Sequence, residues 1–390
     1  MNIWFVTTVL PQLETSGGEI ASQAFIDALR ASGNRVTVFG FAREGDVSPV
    51  PTGSLTVERR PIETAASGLK AYGWMAGALA SGRPYVCEKF HSPRFAKIFA
   101  QTSQQARPDL IVIDHAQMGW LLPVLKRYGV PLVFIAHNVE SELYAAQAAK
   151  VSAHGSLKRF LLKRDAALIG RIEQELARTC AQVWTLTEAE RKVFDGFAGT
   201  QKARTMELPG RRIEASREPI ATVADVGMLG TWAWEVNGRG LRWFIDEVMP
   251  HIPASITVRV GGRGSEVANG CFPNLTGVGF VDDPVIFMRE ARVLAVPTIT
   301  GAGIQLKTIE AIATGVPVVS TTLGVRGLAH LPAYVHVADE PSAFAETLAS
   351  VVASRPQADV AAATSWVEMR RQIFADGVRG ALEACVSQRQ

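Results

Sequence analysis

Short apolar runs alternate with helical apolar stripes along the whole chain. Runs rich in β-branched residues, such as residues 3–6 and 293–296, are typical of strands in a parallel sheet that is covered on both faces. Apolar residues at helical spacing follow the first run over residues 20–31. The alternation predicts β-α-β units and an α/β fold.

In the first half, Thr187 and Glu190 have the spacing of a capping box that opens a helix, after what we predict to be the last strand of this half. The other elements follow from apolar periodicity. The predicted strands are residues 3–6, 35–39, 108–114, 131–136 and 181–186, and the predicted helices are 20–31, 118–128 and 157–178.

A second alternation begins after residues 200–222, which are polar, charged and broken by Pro209 and Gly210. We therefore expect two doubly wound, Rossmann-like domains that face each other across a cleft. The predicted ranges are an acceptor-side domain over 1–205, a linker over 206–222, a donor-binding domain over 223–365, and a final helix over 366–390, for which packing against the first domain is an option.

The elements of the second half are predicted in the same way. The strands are residues 225–229, 256–260, 275–280, 293–296, 316–319 and 335–337, and the helices are 241–248, one between 296 and 316, 341–353 and 364–387.

Residues 65–100 fit two arrangements. The segment carries aromatic and small residues with scattered cations, which we place on its polar side: Lys70, Arg83, Lys89, Arg94 and Lys97. One or two helices facing a groove or a lipid surface would fit this composition. An ordinary amphipathic helix pair fits it too, and we favour that interpretation.

Composition narrows the class of protein. The 390 residues are 47% hydrophobic and 20% charged, which is enough material for two cores. A net charge of +3 permits an anionic substrate or membrane surface, and the sequence has no basic run of the kind that binds nucleic acid. We interpret the four dispersed cysteines, Cys87, Cys180, Cys271 and Cys385, as reduced core thiols of a cytosolic protein. We expect the apolar N-terminus to form a strand rather than a signal peptide, and no apolar run is long enough to span a membrane.

Candidate chemistry is concentrated in residues 292–320. Gly301 and Gly303 precede a predicted helix, whose first N–H groups and positive dipole end favour an anion such as phosphate. Lys307 and Glu310 lie three residues apart on one helical face, so a cation for phosphate and a carboxylate for a hydroxyl pair could meet one nucleotide sugar. A common α/β turn with a solvated ion pair explains the same residues, and both interpretations stay open at this point.

Two features of the first half also suggest a site. His137 follows the predicted strand 131–136, at the edge where parallel sheets place groups that contact ligands. The alternative is a core histidine bonded to the backbone. Gly17 and Gly18 precede the first helix and repeat the geometry that favours an anion, although a plain turn explains them slightly better.

Four segments together resemble the GT-B fold glycosyltransferases of the family 4 type, the glycosyl transferases group 1. They are HNVESELY (137–144), LGTWAWEVNGRGLRWFIDEVMP (229–250), GFVDDPVIFMREARVLAVP (279–297) and GAGIQLKTIEAIATGVPVVST (301–321). The resemblance runs from about residue 2 to the final helix.

The resemblance implies specific donor contacts. Glu310 matches the second glutamate of the E-x7-E element, which binds the donor ribose, whereas Ala302 stands where the first glutamate would contact the donor sugar. The backbone N–H groups of Gly303 and Ile304 would cradle the distal phosphate. Lys307, with Arg239 and Arg263, is then a candidate cation for the diphosphate, and Gly230 belongs to the same donor site.

Residues in the first half of the chain also match this family. His137 corresponds to the histidine beside the transferred sugar, and Gly17 and Gly18 correspond to the glycine loop that faces donor and acceptor. The predicted catalytic set is therefore His137, Lys307 and Glu310. No metal is expected, because the adjacent Asp282 and Asp283 do not form an Asp-x-Asp pattern that would ligate Mg²⁺.

The function implied by the resemblance is a retaining, metal-independent glycosyltransferase without a separate cofactor. It would move a sugar from a UDP- or GDP-sugar to a glycan or lipid-linked acceptor in cell-surface polysaccharide or glycoconjugate synthesis. We expect a cytoplasmic protein without a nucleic-acid partner, and peripheral contact with the inner face of the plasma membrane stays open. The alternatives are a non-catalytic nucleotide-sugar-binding protein of a polysaccharide assembly complex and a sugar-nucleotide 2-epimerase of the same fold.

Overall fold

The computed structural model describes residues 1–11, 16–63, 67–151, 155–210, 220–301 and 303–387. The chain divides into two compact units. Unit 1 contains Met1–Leu208 and Phe374–Gln390, and unit 2 contains Pro209–Ile373. The acceptor-side and donor-binding roles that the sequence suggests for the two domains stay predictions.

Unit 1 is built on a parallel sheet of seven strands. The strands are β1 (Asn2–Val9), β2 (Arg35–Arg43), β3 (Ser54–Arg60), β4 (Leu110–Asp114), β5 (Leu132–Ala136), β6 (Gln182–Thr185) and β7 (Ala203–Thr205). Their order is β3-β2-β1-β4-β5-β6-β7. The order reverses between β1 and β4, and in open α/β sheets ligands bind at the carboxyl ends of the strands beside such a reversal.

Eight helices of unit 1 connect these strands within the described residues. They are α1 (Gly17–Ala31), α2 (Leu69–Ser81), α3 (Tyr85–Lys89), α4 (Arg94–Gln105), α5 (Leu122–Leu125), α6 (Glu140–Lys150), α7 (Ser156–Thr179) and α8 (Glu188–Ala198). Short 3₁₀ turns at Ala116–Leu121 and Lys126–Tyr128 flank α5. The predicted capping box is confirmed, because Thr187 and Glu190 exchange side-chain and backbone hydrogen bonds at the start of α8.

Unit 2 is built on a parallel sheet of six strands. The strands are β8 (Ala224–Leu229), β9 (Val258–Gly261), β10 (Leu275–Gly279), β11 (Ala291–Val296), β12 (Val318–Ser320) and β13 (Val335–Val337). Their order is β10-β9-β8-β11-β12-β13, with the reversal between β8 and β11.

The helices that pack on this sheet include α9 (Glu235–Trp243), α10 (Pro284–Arg289), α11 (Leu306–Ala313) and α12 (Pro341–Ala353). A π-helical turn, Phe244–Val248, continues α9, and 3₁₀ turns cover Met249–His251 and Ser265–Ala268. The final helix, α13 (Val360–Ser387), begins in unit 2 and ends in unit 1.

Both units therefore have the Rossmann-like, doubly wound architecture of the GT-B class, and the predicted fold class is confirmed. In unit 1 the core surrounds Trp4, whose ring centroid lies 5.2 Å from that of Phe39, 5.4 Å from that of Phe99 and 4.9 Å from that of Tyr128. The apolar runs that predicted the strands form this core because both faces of the sheet are covered.

Several predicted details of unit 1 are wrong. The strands β3 and β7 were not predicted, so residues 181–186 do not contain the last strand of this half. The predicted helix 118–128 is a succession of short helical turns. Cys271 is exposed, although Cys87, Cys180 and Cys385 are buried free thiols as expected.

The segment 65–100 also differs from the arrangement that we favoured. Its described residues, 67–100, contain or begin three helices, and only Ala78 of α2 is buried. Lys89 is buried instead of lying on a polar face, because its ammonium lies 6.0 Å from the ring centroid of Trp74 and 5.3 Å from that of Phe90. Within the described ranges, no helix has the length and apolar character that crossing a bilayer requires.

Candidate functional site

In unit 1, two adjacent strands bring Asp114 and His137 together. Asp114 ends β4 and pairs with Ile135 of β5, and His137 follows the end of β5. Atom Nε2 of His137 lies 2.6 Å from Oδ1 of Asp114, and both side chains are buried. The carboxyl ends of parallel strands share one edge of a sheet, so this position is where a ligand-binding group is expected.

Asp114 holds two further donors. Its Oδ2 accepts hydrogen bonds from the hydroxyls of Thr7, at 2.7 Å, and Ser22, at 2.6 Å. Burial by itself would raise the pKa of Asp114, but His115, His137 and the hydrogen bonds from His137 and Ser22 hold that pKa well below its ordinary value. An ionised carboxylate accepts, so the ring N–H that faces it is the Nε2–H of His137.

His115 completes the cluster. Its ring stacks on that of His137, with 3.8 Å between centroids and 23° between planes, and its φ of 73° is left-handed. Burial lowers the pKa of His115 to about 4, so this imidazole is neutral at pH 7. Gly18 of α1 lies against it, because a Cβ at Gly18 would be 3.4 Å from Cε1 of His115. The structure thus places predicted residues Gly18 and His137 in one site, with Gly17 as the first residue of α1.

Ligand atoms of Asp114, His115 and His137 all lie within 4.8 Å of one another, a grouping that could hold a metal ion. Two atoms bound to one tetrahedral zinc ion at about 2.0–2.1 Å would be roughly 3.3 Å apart. The 2.6 Å between Asp114 and His137 is instead the length of a charge-assisted hydrogen bond. We interpret the group as a hydrogen-bonded cluster in which Asp114 orients His137.

In unit 2, the glycine turn precedes a helix without a side-chain cap. Gly301 and Gly303 have φ values of 122° and 72°, which favour glycine, and Gln305 at the start of α11 makes no capping hydrogen bond. Arg326 donates from Nη1 to the carbonyl of Gly301 at 3.1 Å and from Nε to that of Gly303 at 3.2 Å. These bonds hold the turn through its carbonyl groups. The predicted residue Ala302 lies outside the described residues.

Buried hydroxyls lie just before this turn. Thr298 is 3% exposed, and its Oγ1 has no hydrogen-bond partner in the described part of the chain. The same holds for Oγ1 of Thr300. Buried hydroxyls are normally satisfied, so two orphans beside a glycine turn are consistent with a polar ligand at this position.

Lys307 lies on the first turn of α11 and is largely enclosed. Its Nζ donates to Oδ1 of Asn237 at 3.0 Å and lies 5.6 Å from the ring centroid of Trp232. Burial lowers the pKa of Lys307 to about 8. Asn237 is fixed in turn, because its Nδ2 donates to the carbonyl of Thr231 at 3.1 Å. The turn after β8, the start of α9 and the start of α11 therefore meet at one cation.

The turn after β9 joins the same group of residues. The backbone N–H of Trp232 donates to the carbonyl of Arg263 at 2.8 Å, and its indole N–H donates to the carbonyl of Gly261, also at 2.8 Å. Gly230 lies close to Gly262, where a Cβ would be 1.9 Å from the Gly230 carbonyl oxygen. The side chain of Arg263 itself is exposed.

Other predicted donor residues are less closely tied to Lys307. Arg239 lies two residues after Asn237 on α9, about 200° away around the helix, and no contact joins it to Lys307 among the described residues. Glu310 is half-buried on α11, one turn after Lys307, and Ile304 is half-buried beside the buried Gly303.

Asp114, His115 and Arg326 are among the residues of these sites that were missed in the sequence. Asp114 carried a signal, since it is a charged residue that closes the buried strand PDLIVID. His115 follows it directly, but its stacking on His137 depends on the pairing of β4 with β5. Arg326 carried no local signal, because its partners lie more than twenty residues earlier in the chain.

Two sequence families match most of the chain. Residues 16–209 match the glycosyl transferase 4-like domain, and residues 224–354 match the glycosyl transferases group 1. No curated protein matches the sequence significantly.

Solved structures share the fold at low identity. HepE from Anabaena, in complex with UDP, is 16% identical, with all of both chains covered and a TM-score of 0.61. Sucrose-phosphate synthase from Thermosynechococcus elongatus is 14% identical, with 100% of this chain and 97% of that chain covered and a TM-score of 0.59. The apo form of the lipopolysaccharide outer core galactosyltransferase WaaB is 11% identical, with 98% and 99% covered and a TM-score of 0.59.

Proposed function

The chain belongs to the group 1 glycosyltransferases, and from this membership we propose that it moves a sugar from a nucleotide-diphosphate sugar to a glycan or lipid-linked acceptor. The proposed product is a precursor of a cell-surface polysaccharide or glycoconjugate, formed with retention of anomeric configuration and without a metal ion. The donor supplies the leaving diphosphate, so no separate cofactor is needed.

The enclosed ammonium of Lys307 is the observation that carries this proposal. Breaking a glycosyl phosphate bond develops negative charge on the diphosphate, which preorganised donors and cations stabilise. Lys307 is held by Asn237 at the start of a helix whose cap position makes no side-chain hydrogen bond. An anion at this helix start would meet the ammonium, the first-turn N–H groups and the orphan hydroxyl of Thr298.

Glu310 is the proposed contact for the ribose hydroxyls, one helical turn from Lys307. UDP is the favoured nucleotide, because HepE was solved with UDP, with UDP and glucose, and with UDP-glucose. Gly303, Ile304, Gly230, Arg239 and Arg263 complete the proposed donor site in unit 2. Gly17 and Gly18 form the proposed loop of unit 1 that faces donor and acceptor.

His137 is the proposed catalytic residue of unit 1, close to the sugar being transferred. Asp114 is a positioning residue and not a nucleophile, because its two oxygens already accept hydrogen bonds from Thr7, Ser22 and His137. The proposed retention of anomeric configuration therefore does not require a covalent glycosyl intermediate on Asp114.

The test begins with calorimetric titration of the purified protein with UDP and GDP in the presence of EDTA. We expect UDP to bind and GDP to bind more weakly. Incubation with radiolabelled UDP-sugars and a lipid extract should then yield a labelled glycolipid or glycan, whose anomeric configuration is read by NMR.

A different experimental result would contradict each part of the proposal. Preference for GDP would contradict the nucleotide assignment. Activity that EDTA abolishes and Mg²⁺ restores would contradict metal independence, and an inverted anomer would contradict retention. Tight UDP binding without transfer to any acceptor in the extract would contradict the proposed acceptor class.

A further inference from the structure

The segment that follows β12, residues 321–326, is fixed to both sides of the glycine turn of unit 2. Its first residue, Thr321, is 2% exposed and donates from its hydroxyl to the carbonyl of Thr298, just after β11. Further along, the carbonyl of Gly324 accepts a hydrogen bond of 2.8 Å from the buried hydroxyl of Thr308 on α11. The segment is therefore tied to the end of β11 and to α11, the two elements that the glycine turn connects.

This anchoring places the guanidinium of Arg326 against the carbonyl groups of the turn. Besides the bonds from Nη1 to Gly301 and from Nε to Gly303, Nη2 of Arg326 also donates to the carbonyl of Gly303. Three N–H donors of one planar group thus meet two carbonyl oxygens. A lysine would supply the same charge, but its ammonium lacks the rigid fork of donors that a guanidinium presents.

The carbonyl of Gly303 belongs to the same peptide group as the N–H of Ile304. Among the described residues no peptide bond is cis. In a planar trans peptide the C=O and the N–H point in opposite directions. The N–H of Ile304 therefore points away from Arg326, and the two hydrogen bonds at the Gly303 carbonyl fix its direction.

The N–H of Ile304 is suited to a ligand. In the described part of the chain it donates to no protein acceptor. The side chain of Ile304 packs on the apolar cluster that contains Val296 and Ile309, which anchors the residue in the core of unit 2. A hydrogen bond at the carbonyl also strengthens the N–H of the same peptide group as a donor, because hydrogen bonds in series polarise one another. A fixed, polarised N–H just before a helix favours an anion such as phosphate.

We propose that Arg326 is the positioning residue for the distal phosphate of the nucleotide donor. It holds the carbonyl of Gly303 and thereby directs the N–H of Ile304 at that phosphate, so it acts through the peptide group and not by contact with the donor. The inference rests on the proposed donor site and adds the residue that orients its phosphate-binding turn. Arg326 then contributes to recognition of the diphosphate and not to recognition of the nucleoside.

The test compares UDP with UMP, which lacks the distal phosphate, by calorimetric titration. Arg326→Ala should bind UDP about tenfold more weakly or worse, since one hydrogen bond to a charged group is misdirected, while its affinity for UMP stays within about twofold. Arg326→Lys keeps the charge without the fork, so it should also lose affinity for UDP and not for UMP. The lysine variant gives the same comparison if the alanine variant does not fold. A merely structural role would lower both affinities by the same factor.

Two further variants serve as references. Arg292 is a half-buried arginine near the start of β11 whose Nε lies 3.0 Å from Oδ1 of Asp225. Arg292→Ala should leave the affinities for UDP and UMP unchanged. Glu310→Ala should weaken both by the same factor, because both nucleotides carry the ribose that Glu310 is proposed to contact. Urea unfolding verifies that each variant is folded.

Two results would overturn the proposal. Loss of UDP and UMP affinity by the same factor in the Arg326 variants would make Arg326 a structural residue, and unchanged UDP affinity would show that the turn binds phosphate without it. Either result, with UDP binding by the unaltered protein, leaves the proposed donor site standing. Unaltered protein that binds neither nucleotide would contradict the donor site itself and this inference with it.

Discussion

At the scale of single residues, the charge of Lys307 controls the proposed donor site. Burial lowers its pKa to about 8, so the free protein loses this ammonium as pH rises through a range in which an exposed lysine stays charged. We expect the dissociation constant for UDP to increase above pH 8, with proton uptake on binding. Lys307→Arg should remove the pH dependence, because a guanidinium stays protonated there.

Removing the side-chain charge of Lys307 or of Glu310 tests the proposed donor site in a second way. Lys307→Ala should weaken UDP binding at pH 7 by tenfold or more, about 1.4 kcal/mol, and Glu310→Ala should do the same through the ribose. Calorimetry measures both, with Lys192→Ala as the control for a distant exposed lysine. Unchanged affinity in both site variants would disprove the donor assignment.

Substitution of Asp114 tests whether this residue positions His137. Asp114→Asn keeps the shape of the side chain but lowers the charge that fixes the Nε2–H of His137, so turnover should fall by about tenfold or more, while UDP affinity stays within about twofold. His137→Ala should lower turnover in the same way. Because the two residues act as one unit, the double variant should be no slower than the slower single variant. Additive losses, or a loss of UDP affinity alone, would contradict a positioning role.

At the scale of secondary structure, apolar periodicity was a good guide to the inner strands of the first sheet and a poor one to its edges. The inner strands β4 and β5 were predicted within two residues, whereas in the second sheet even the edge strand β13 was predicted with its observed bounds. By contrast, β3 and β7 lie at the two edges of the first sheet, where one side has no partner strand and polar residues such as Arg59 and Arg204 are tolerated. Such strands lack the continuous apolar run by which buried parallel strands are recognised.

The packing of α9 on β11 gives a prediction at this scale. A Cβ at Gly240 would lie 2.1 Å from the carbonyl oxygen of Pro297, so Gly240→Ala must push α9 away from the end of β11. Overpacking of this kind costs about 1–3 kcal/mol of unfolding free energy. Since α9 also carries Asn237, UDP affinity should fall with it.

Gly196 of α8 is the matched control, because a Cβ there has no heavy atom within 4 Å. Gly196→Ala should stabilise the protein by about 0.5–1 kcal/mol, since alanine favours the helix. Urea unfolding measures both variants, and equal midpoints for the two would show that the approach of α9 to β11 is not constrained.

At the scale of the whole molecule, the candidate sites could be predicted only in part. His137 and the turn at Gly301–Gly303 stand out because each follows a buried strand, which the local pattern reveals. Their partners do not stand out. Thr7 bonds Asp114, and Asp114 bonds His137, through the order of strands β1, β4 and β5, and strand order depends on tertiary packing that one sequence does not display.

The contribution of the final helix to unit 1 gives the last prediction. Phe374 is 3% exposed and packs on Phe25 with 5.0 Å between ring centroids, and the buried Nε2 of Gln182 donates to the carbonyl of Ala381 at 3.1 Å. Unit 1 therefore completes its core with residues from the opposite end of the chain. Phe374→Ala should cost about 3–5 kcal/mol of the unfolding free energy of unit 1.

The neighbouring residue is the control. Ile373 is 37% exposed and belongs to unit 2, so Ile373→Ala should change stability by much less. Residue-resolved hydrogen exchange reports on the stability of each unit separately. Phe374→Ala should accelerate exchange in β1 and β6 and leave exchange in β8 and β11 unchanged.

Deletion of residues 374–390 should produce a larger effect of the same kind, because it also removes the bond to Gln182 and the buried side chains of Val378 and Leu382. Equal exchange in the two point variants would mean that the core of unit 1 is complete without the final helix.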